Sequence, residues 1–223
     1  MKTSTLRIII VLFIMLCLAC EMPPPGKDCP CGYYPDRTPC RDCPGPRKIT
    51  GQGDIISQTF ALEPFHSIEN IGIADVYITQ GEVQEITINA QPNIINYVTY
   101  EVLNGELILS IDENISIVSS RGIFIDITTP FIQKVTSLGT AYIKLSGPGQ
   151  GKLYLNNTGT GSINAFNLEV DTCYVRLTGT GSCKVTVNEL LDVVLTGTGN
   201  VYYRGYPEII SHITGLGRLI SSN

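Results

Sequence analysis

The chain has 223 residues, of which 43% are hydrophobic and only 16% are charged, and its formal net charge is −5. This balance lacks the basic excess of a nucleic-acid-binding protein, which argues against nucleic acid as a partner. The sequence has no Trp but 22 glycines, and Val, Ile, Thr and Tyr recur throughout, a composition that favours strands and tight turns over helices.

The N-terminus has the features of a bacterial export signal. Lys2 and Arg7 precede an apolar run at 8–19, which is too short to span a bilayer but suits a signal peptide. The run ends in Ala19-Cys20, which resembles the lipobox of bacterial lipoproteins, although Cys17 stands where that motif usually has Leu. The resemblance implies a signal peptide at 1–19 and acylation of Cys20, which would anchor the chain in a membrane. An ordinary secretory signal is the alternative.

Residues 20–50 have the composition of a stiff linker. Eight of the 13 prolines of the chain lie here, so the segment is predicted to be extended and to build no core. The segment also holds four cysteines in the pattern C-x-C-x8-C-x2-C, namely Cys29, Cys31, Cys40 and Cys43. An exported chain meets an oxidising compartment, which favours two local disulfides of undetermined connectivity. A tetrahedral zinc site and free thiols are the alternatives.

The remaining residues, 51–223, are predicted to form one β domain. In its first half, short runs alternate between apolar and polar residues with a period of two, as strands do. The Asn104-Gly105 pair between two such runs predicts a β-hairpin. This half is less regular than the second and is expected to cap it.

The second half of the domain contains a repeat. Five similar units follow one another at spacings of 22, 20, 18 and 18 residues, and they begin at Thr136, Thr158, Thr178, Thr196 and Thr214. The residues five before, one before and five after each leading Thr are apolar in every unit except at Asn157. Stacking equal positions would bury continuous columns, which predicts a parallel β-solenoid with coils of about 18–22 residues. Leu177 and Leu195 then belong to one inward column.

The units also place several reactive side chains. Cys173 and Cys183 fall in inward columns and are expected to be small buried hydrophobes, with a disulfide between them as the alternative. Tyr154 and Tyr174 share an outward column, so their rings should stack about 4.8 Å apart. Such a pair either stabilises the ladder or contacts a ligand such as a sugar or a partner protein.

Catalytic and metal-binding motifs are not evident. Glu169 lies two residues from Asp171 and at the place of Glu189 in the next unit, but each is expected to be a solvated loop acid rather than half of an acid–base pair. His66 and His212 are far apart in sequence and are expected to be surface residues. We therefore expect no catalytic residues, no metal and no cofactor.

The order of several short motifs resembles that of the auto-transporter adhesin, head GIN domain family, found in lipoproteins of Bacteroidetes-type bacteria. The matching pieces are 65–68, 74–81, 92–95 and 104–107, followed by the recurring Thr-Gly-Thr-Gly-Ser element. The resemblance implies a right-handed parallel β-helix at the outer membrane or cell surface, and it carries over no catalytic residue and no known ligand. The resulting hypothesis is a lipid-anchored, non-catalytic, adhesin-like module that binds a polysaccharide or a partner protein. A carbohydrate-active enzyme on a β-helix and a periplasm-facing envelope factor are the alternatives.

Overall fold

A computed structural model of the chain describes residues 46–119 and 121–223, and these residues form 17 strands and one short 3-10 helix, Ile95–Tyr97. No helix in this part of the chain is long and apolar enough to cross a membrane. The strands before the repeat are β1 (Arg47–Thr50), β2 (Ile56–Ala61), β3 (Ser67–Asn70), β4 (Asp75–Gln80), β5 (Glu85–Ala90), β6 (Val98–Leu103), β7 (Glu106–Ile111), β8 (Ile115–Val118) and β9 (Phe124–Thr129). Those of the repeat are β10 (Lys134–Ser137), β11 (Tyr142–Ser146), β12 (Gln150–Asn157), β13 (Ser162–Gly179), β14 (Ser182–Gly197), β15 (Asn200–Arg204), β16 (Glu208–Gly215) and β17 (Arg218–Ser221).

Fifteen of these strands belong to one mixed sheet, while β1 and β8 form a separate parallel pair. The main path of the large sheet has eleven strands in the order β2-β5-β9-β4-β11-β13-β12-β10-β3-β7-β6, and β14 to β17 branch from β13. The pairs β2–β5, β5–β9 and β6–β7 are antiparallel, and the others are parallel. The prediction of an all-β domain is therefore confirmed, but a right-handed parallel β-helix is wrong, because the fold is a curled sheet that mixes both strand directions.

Two features of the chain account for this difference. Strands before the repeat reverse direction, so that the main path of the sheet has antiparallel pairs at both ends, β2–β5–β9 at one and β7–β6 at the other. Within the repeat, β13 and β14 run for 18 and 16 residues through positions that were expected to be return loops. Register shifts between Ala165 and Glu169 and between Val170 and Thr172 absorb the difference in length, so that the sheet stays continuous there.

The parallel pairs fall into two series that meet at Gly-containing turns. The first ladder comprises β7, β3, β10, β12, residues 170–179 of β13, residues 190–197 of β14, and β16. The second ladder comprises β9, β4, β11, residues 162–167 of β13, residues 182–187 of β14, β15 and β17. Except on the terminal strand β16, whose residues are exposed, alternate side chains of both ladders point inward and join one core cluster of mainly Ile, Leu and Val.

Glycines at the turns lie against one another in six successive layers. A β-carbon at Gly159, Gly179, Gly197 or Gly215 would collide with the carbonyl oxygen of the glycine one layer below, and Gly139 lies in the same way on Gly72. Gly139 therefore matches the first glycine of Thr158-Gly159, so the predicted spacing of 22 residues is wrong and the register gives 20. Residues 70–74, which contain Gly72, form a further unit of the repeat, although the repeat motif is not visible in their sequence.

This shift moves the first predicted members of the inward columns. Phe131 is 46% exposed, and its neighbour Ile132 is buried in its place. Val135 is buried but pairs with Leu155 rather than with Asn157. From Leu153 onward the predicted register is confirmed: Leu177 pairs with Leu195 and Cys183 with Val201. The last layer differs, because Ile209 and Ile213 on β16 are in register but exposed.

Buried asparagines fasten two of the turns. The side-chain amide of Asn157 donates a hydrogen bond of 2.8 Å to the carbonyl oxygen of Gly161, and Asn70 does the same for Ala74 at 3.0 Å. Both asparagines are almost fully buried, so their amides have to find partners inside the protein. Asn157, the one polar residue in the predicted apolar columns, thus stabilises a turn.

The predicted hairpin is confirmed. Strands β6 and β7 pair antiparallel, with Leu103 opposite Glu106. The two residues between them have positive φ angles, 52° at Asn104 and 77° at Gly105, as a type I′ turn requires.

Candidate functional site

The outward side chains of the two ladders form two separate surfaces. We call the outward side chains of the first ladder the first face, and those of the second ladder the second face. Because strands in a sheet lie about 4.8 Å apart, side chains in one column repeat at that interval along each face. Any ligand of this part of the domain would meet columns of side chains on strands.

Two tyrosines are stacked on the first face, as predicted. Tyr154 pairs with Tyr174 in register, and their half-buried rings lie 4.7 Å apart between centroids with an angle of 10° between their planes. The Nζ atom of Lys152 lies 5.9 Å from the centroid of the Tyr174 ring. Since each ring covers a face of the other, the pair presents mainly ring edges to a ligand, rather than two open faces.

Charges of both signs surround the tyrosines. Lys134, one strand before Tyr154, forms an ion pair of 2.8 Å with Glu106. Asp192 pairs in register with Tyr174 on the other side, and Arg176 is exposed two residues further along β13. The first face is therefore electrostatically mixed.

The N-terminal half of the second face carries an aromatic row beside two acids. Tyr77 lies between Phe124 and Tyr142, at 6.5 Å between ring centroids in both cases. Burial raises the pKa of Tyr77, and the carboxylate of Asp75 adds to the effect. The backbone N–H of Tyr142 donates to Asp75 at 2.8 Å, so this carboxylate is already engaged.

The C-terminal half of the second face combines cations with aromatic rings. The guanidinium carbon of Arg204 lies 4.1 Å from the centroid of the Phe166 ring. Lys184 Nζ lies 5.9 Å from the same ring and 5.8 Å from that of Tyr202. We call Phe166, Lys184, Tyr202 and Arg204 the cation–aromatic cluster.

Sequence reasoning missed this cluster. Lys184 and Tyr202 pair in register on β14 and β15, so their separation of one repeat was a usable signal. The position of Phe166 was not predictable in the same way, because the bulge that follows Ala165 shifts the register of β13.

The carboxylates that lie close together in sequence are not arranged as an acid–base pair. Glu169, Asp171 and Glu189 are all exposed. Glu169 pairs with Thr186 in register, so the prediction that it occupies the same place as Glu189 in the neighbouring unit is wrong. A depression beside the hairpin, lined by Thr99, Tyr100, Glu101, Ile108 and Ser110, contains a single carboxylate.

The two histidines lie at opposite ends of the first ladder. His66 precedes β3, and its Nδ1 lies 3.1 Å from the hydroxyl of Ser67. His212 is exposed on β16, five layers away, which is about 24 Å at the spacing of strands. The fold therefore does not bring them together, and no group of three or more potential metal ligands occurs in residues 46–119 and 121–223.

Both cysteines of the repeat are free thiols in the core. Cys173 and Cys183 are completely buried, which agrees with the interpretation as small hydrophobes rather than with a disulfide. Burial raises the pKa of both thiols, that of Cys183 to about 12. The thiolate is the nucleophilic form of cysteine, so a raised pKa means that neither thiol is activated as a nucleophile.

The remaining predicted sites lie outside the described residues. These are the lipidation site Cys20 and the linker cysteines Cys29, Cys31, Cys40 and Cys43. Of the predicted linker, only its C-terminal end is described, and Arg47–Thr50 forms strand β1 there.

The ladders, the stacked glycine turns and the two column-built faces define an all-β repeat domain. The model of the "putative auto-transporter adhesin, head GIN domain" family matches residues 64–157 and 134–207, and the chain belongs to this family. No curated protein matches the chain.

The chain is similar to several solved structures at low sequence identity. A crystal structure of a putative adhesin from Bacteroides fragilis is 20% identical, with a TM-score of 0.53 over 78% of this chain and 99% of that one. A putative adhesin from Parabacteroides distasonis is 18% identical, with a TM-score of 0.40 over 78% and 99%. A putative lipid binding protein from the same organism is 17% identical, with a TM-score of 0.40 over 79% and 100%.

Proposed function

We propose that the chain is a lipid-anchored, non-catalytic binding module displayed at the outer surface of a bacterial cell. The observation that carries the proposal is the form of the two faces, which present regular columns of tyrosine, cationic and hydroxyl side chains on adjacent strands. Columns of this kind suit contact with an extended or repeating partner, such as a polysaccharide or a partner protein. Membership of an adhesin-type family agrees with this role.

The non-catalytic part of the proposal is supported by the placement of the acids. Glycoside hydrolysis uses two carboxyl groups about 5–9.5 Å apart on opposite sides of a bound sugar. Glu169, Asp171 and Glu189 are exposed near the bends of β13 and β14, and the depression beside the hairpin has one carboxylate. Turnover of a polysaccharide by the wild type that disappears in folded Glu169→Gln or Asp171→Asn would contradict this part.

Tyr154 and Tyr174 are a ligand contact in this proposal. Because their faces are used for stacking, a ligand would meet ring edges, with the ammonium group of Lys152 beside them. Replacing both tyrosines by Phe retains the stack and tests whether their hydroxyl groups take part in binding.

The anchor and its location are tested together. Cys20→Ala should release the protein from membranes, whereas Cys17→Ala, the matched control, should leave it anchored. Protease shaving of intact cells should then yield peptides of residues 46–223 from the wild type. Membrane attachment of Cys20→Ala equal to that of the wild type would contradict lipidation, and shaving that yields peptides only after the cells are broken would favour a periplasm-facing factor.

A further inference from the structure

The C-terminal half of the second face carries more cations than acids. The outward positions of β11, β15, β17 and the second-ladder parts of β13 and β14 include four cations, namely Lys144, Lys184, Arg204 and Arg218. Two acids lie beside these strands: Glu169 pairs in register with Thr186, and Asp75 accepts a hydrogen bond from the backbone of Tyr142. The two ion pairs formed by residues 46–119 and 121–223 are Arg121–Asp54 and Lys134–Glu106, so none of these four cations takes part in one. The first face, by contrast, mixes both signs.

Aromatic rings hold two of these cations. Arg204 lies over Phe166 at 4.1 Å from the ring centroid, and Lys184 is within 6 Å of the centroids of both Phe166 and Tyr202. A cation–π contact restrains a long side chain but leaves its net charge in place, whereas a carboxylate would neutralise it. The cluster therefore reduces the ordering cost of binding an anion.

From this arrangement we propose that the second face, between β11 and β17, binds an anionic polysaccharide whose carboxylate groups pair with Lys184 and Arg204. Lys144 lies in the same column as Lys184, two strands away, which is about 10 Å and comparable to the length of a disaccharide unit. A chain that carries one carboxylate in each such unit could bridge both lysines. The proposal deepens the binding function proposed above, but it concerns the isolated protein and does not depend on where the protein is anchored.

The side chains between the cations favour a glycan over other polyanions. The columns carry Ser, Asn and Thr, whose hydroxyl and amide groups match the hydroxyl groups of sugars. An anionic membrane would require exposed aliphatic anchors, and Ile220 is the only aliphatic side chain at these outward positions. Single-stranded nucleic acid would require open ring faces for its bases, but cations lie over the rings of Phe166 and Tyr202.

The test is a binding titration with the full-length protein and polygalacturonate as the probe. We expect saturable binding that weakens as NaCl is raised from about 50 to 500 mM, because the pairs are exposed and screened. The double variant Lys184→Gln/Arg204→Gln should bind about tenfold more weakly, since two exposed pairs contribute up to about 1 kcal/mol each. The matched control Lys48→Gln/Arg121→Gln removes the same charge from positions outside both faces and should change affinity less than about twofold.

A second variant tests whether binding requires the ring that holds the cations in place, or only their charge. Phe166→Leu keeps all four cations but removes the ring beneath two of them, and it should weaken binding about threefold with an unchanged melting temperature. The proposal is overturned if the wild type does not bind polygalacturonate, if it binds neutral dextran equally well, or if both charge variants lose the same affinity. Tighter binding to phosphatidylglycerol vesicles or to a DNA oligonucleotide would also overturn it, in favour of a membrane or nucleic-acid surface.

Discussion

Gly181 lies directly on Gly161 of the preceding layer, and a β-carbon at Gly181 would occupy the space of the Gly161 carbonyl oxygen. Gly199 and Gly217 repeat this contact in the next two layers. Close approach of two backbones thus requires glycine at these turns, whatever the φ angle of the residue.

The Gly181→Ala substitution should consequently destabilise the domain. Backbone atoms of two layers would have to move apart, which should lower the free energy of unfolding by about 3 kcal/mol. Gly151→Ala is the matched control, because the nearest atom to its β-carbon would be 3.8 Å away, at Asp171, in ordinary contact. Urea denaturation measures both variants. Equal stability of the two would show that the layers are less closely packed than described.

The inward columns lead to a second prediction. Leu177 and Leu195 are completely buried and pair with each other in adjacent layers. Leu177→Ala or Leu195→Ala should cost about 2–5 kcal/mol, which combines lost burial with the cavity that remains. Leu216→Ala, at an 82% exposed position, should change stability by less than about 0.5 kcal/mol. Mild effects at both buried positions would contradict the observed register.

The regular part of the fold was predictable because its constraints are local. From Thr158 onward, every unit needs glycines at the turn and apolar residues on one side of each strand, and both leave a visible pattern. Residues 70–74 keep only one glycine of the Thr-Gly-Thr-Gly motif, Gly72, which makes the backbone contact with the next layer. The first unit was accordingly invisible in the sequence.

Strand direction and bulges were not predictable in this way. Alternation shows which side of a strand is buried, but it does not show whether its partner runs parallel or antiparallel. The antiparallel pairing of β2 and β5 therefore remained unassigned, and the β-helix expectation failed there, whereas the Asn104-Gly105 turn did predict the pairing of β6 with β7. The cation–aromatic cluster was not predictable for a similar reason: the position of Phe166 follows from a bulge in β13, and the repeat spacing does not reveal that bulge.

The cysteines provide a third prediction with an internal control. In protein purified under oxidising conditions, alkylation should label none of the linker residues Cys29, Cys31, Cys40 and Cys43 until a reductant is added, because we propose that they form two disulfides. Cys173 and Cys183 are free but buried, so they should react only after unfolding, with no reductant required. Peptide mass spectrometry separates the two groups. Protection of the linker cysteines that a chelator removes would instead indicate bound zinc.

The buried thiols also give the domain a specific response to alkaline pH. The pKa of Cys183 rises from an ordinary 9.0 to about 12 in the folded protein, and that of Cys173 is raised as well, in both cases because burial disfavours the thiolate. Below pH 9 the folded and unfolded states both keep these protons, so the contribution of the thiols to stability is fully present. Above pH 9 the unfolded chain releases them first, and this contribution is lost as the pH rises toward 12.

Comparison with a variant that lacks both thiols isolates this effect. Cys173→Val/Cys183→Val keeps small apolar side chains at both positions and cannot titrate there. Between pH 8 and pH 10, the wild type should lose about 2 kcal/mol more free energy of unfolding than the double variant, because each thiol adds up to about 1.4 kcal/mol per pH unit above its unfolded pKa. Urea denaturation at the two pH values measures the difference, and tyrosine ionisation cancels because both proteins contain the same tyrosines. Parallel pH profiles would mean that the thiols are more accessible to water than their complete burial between the ladders implies.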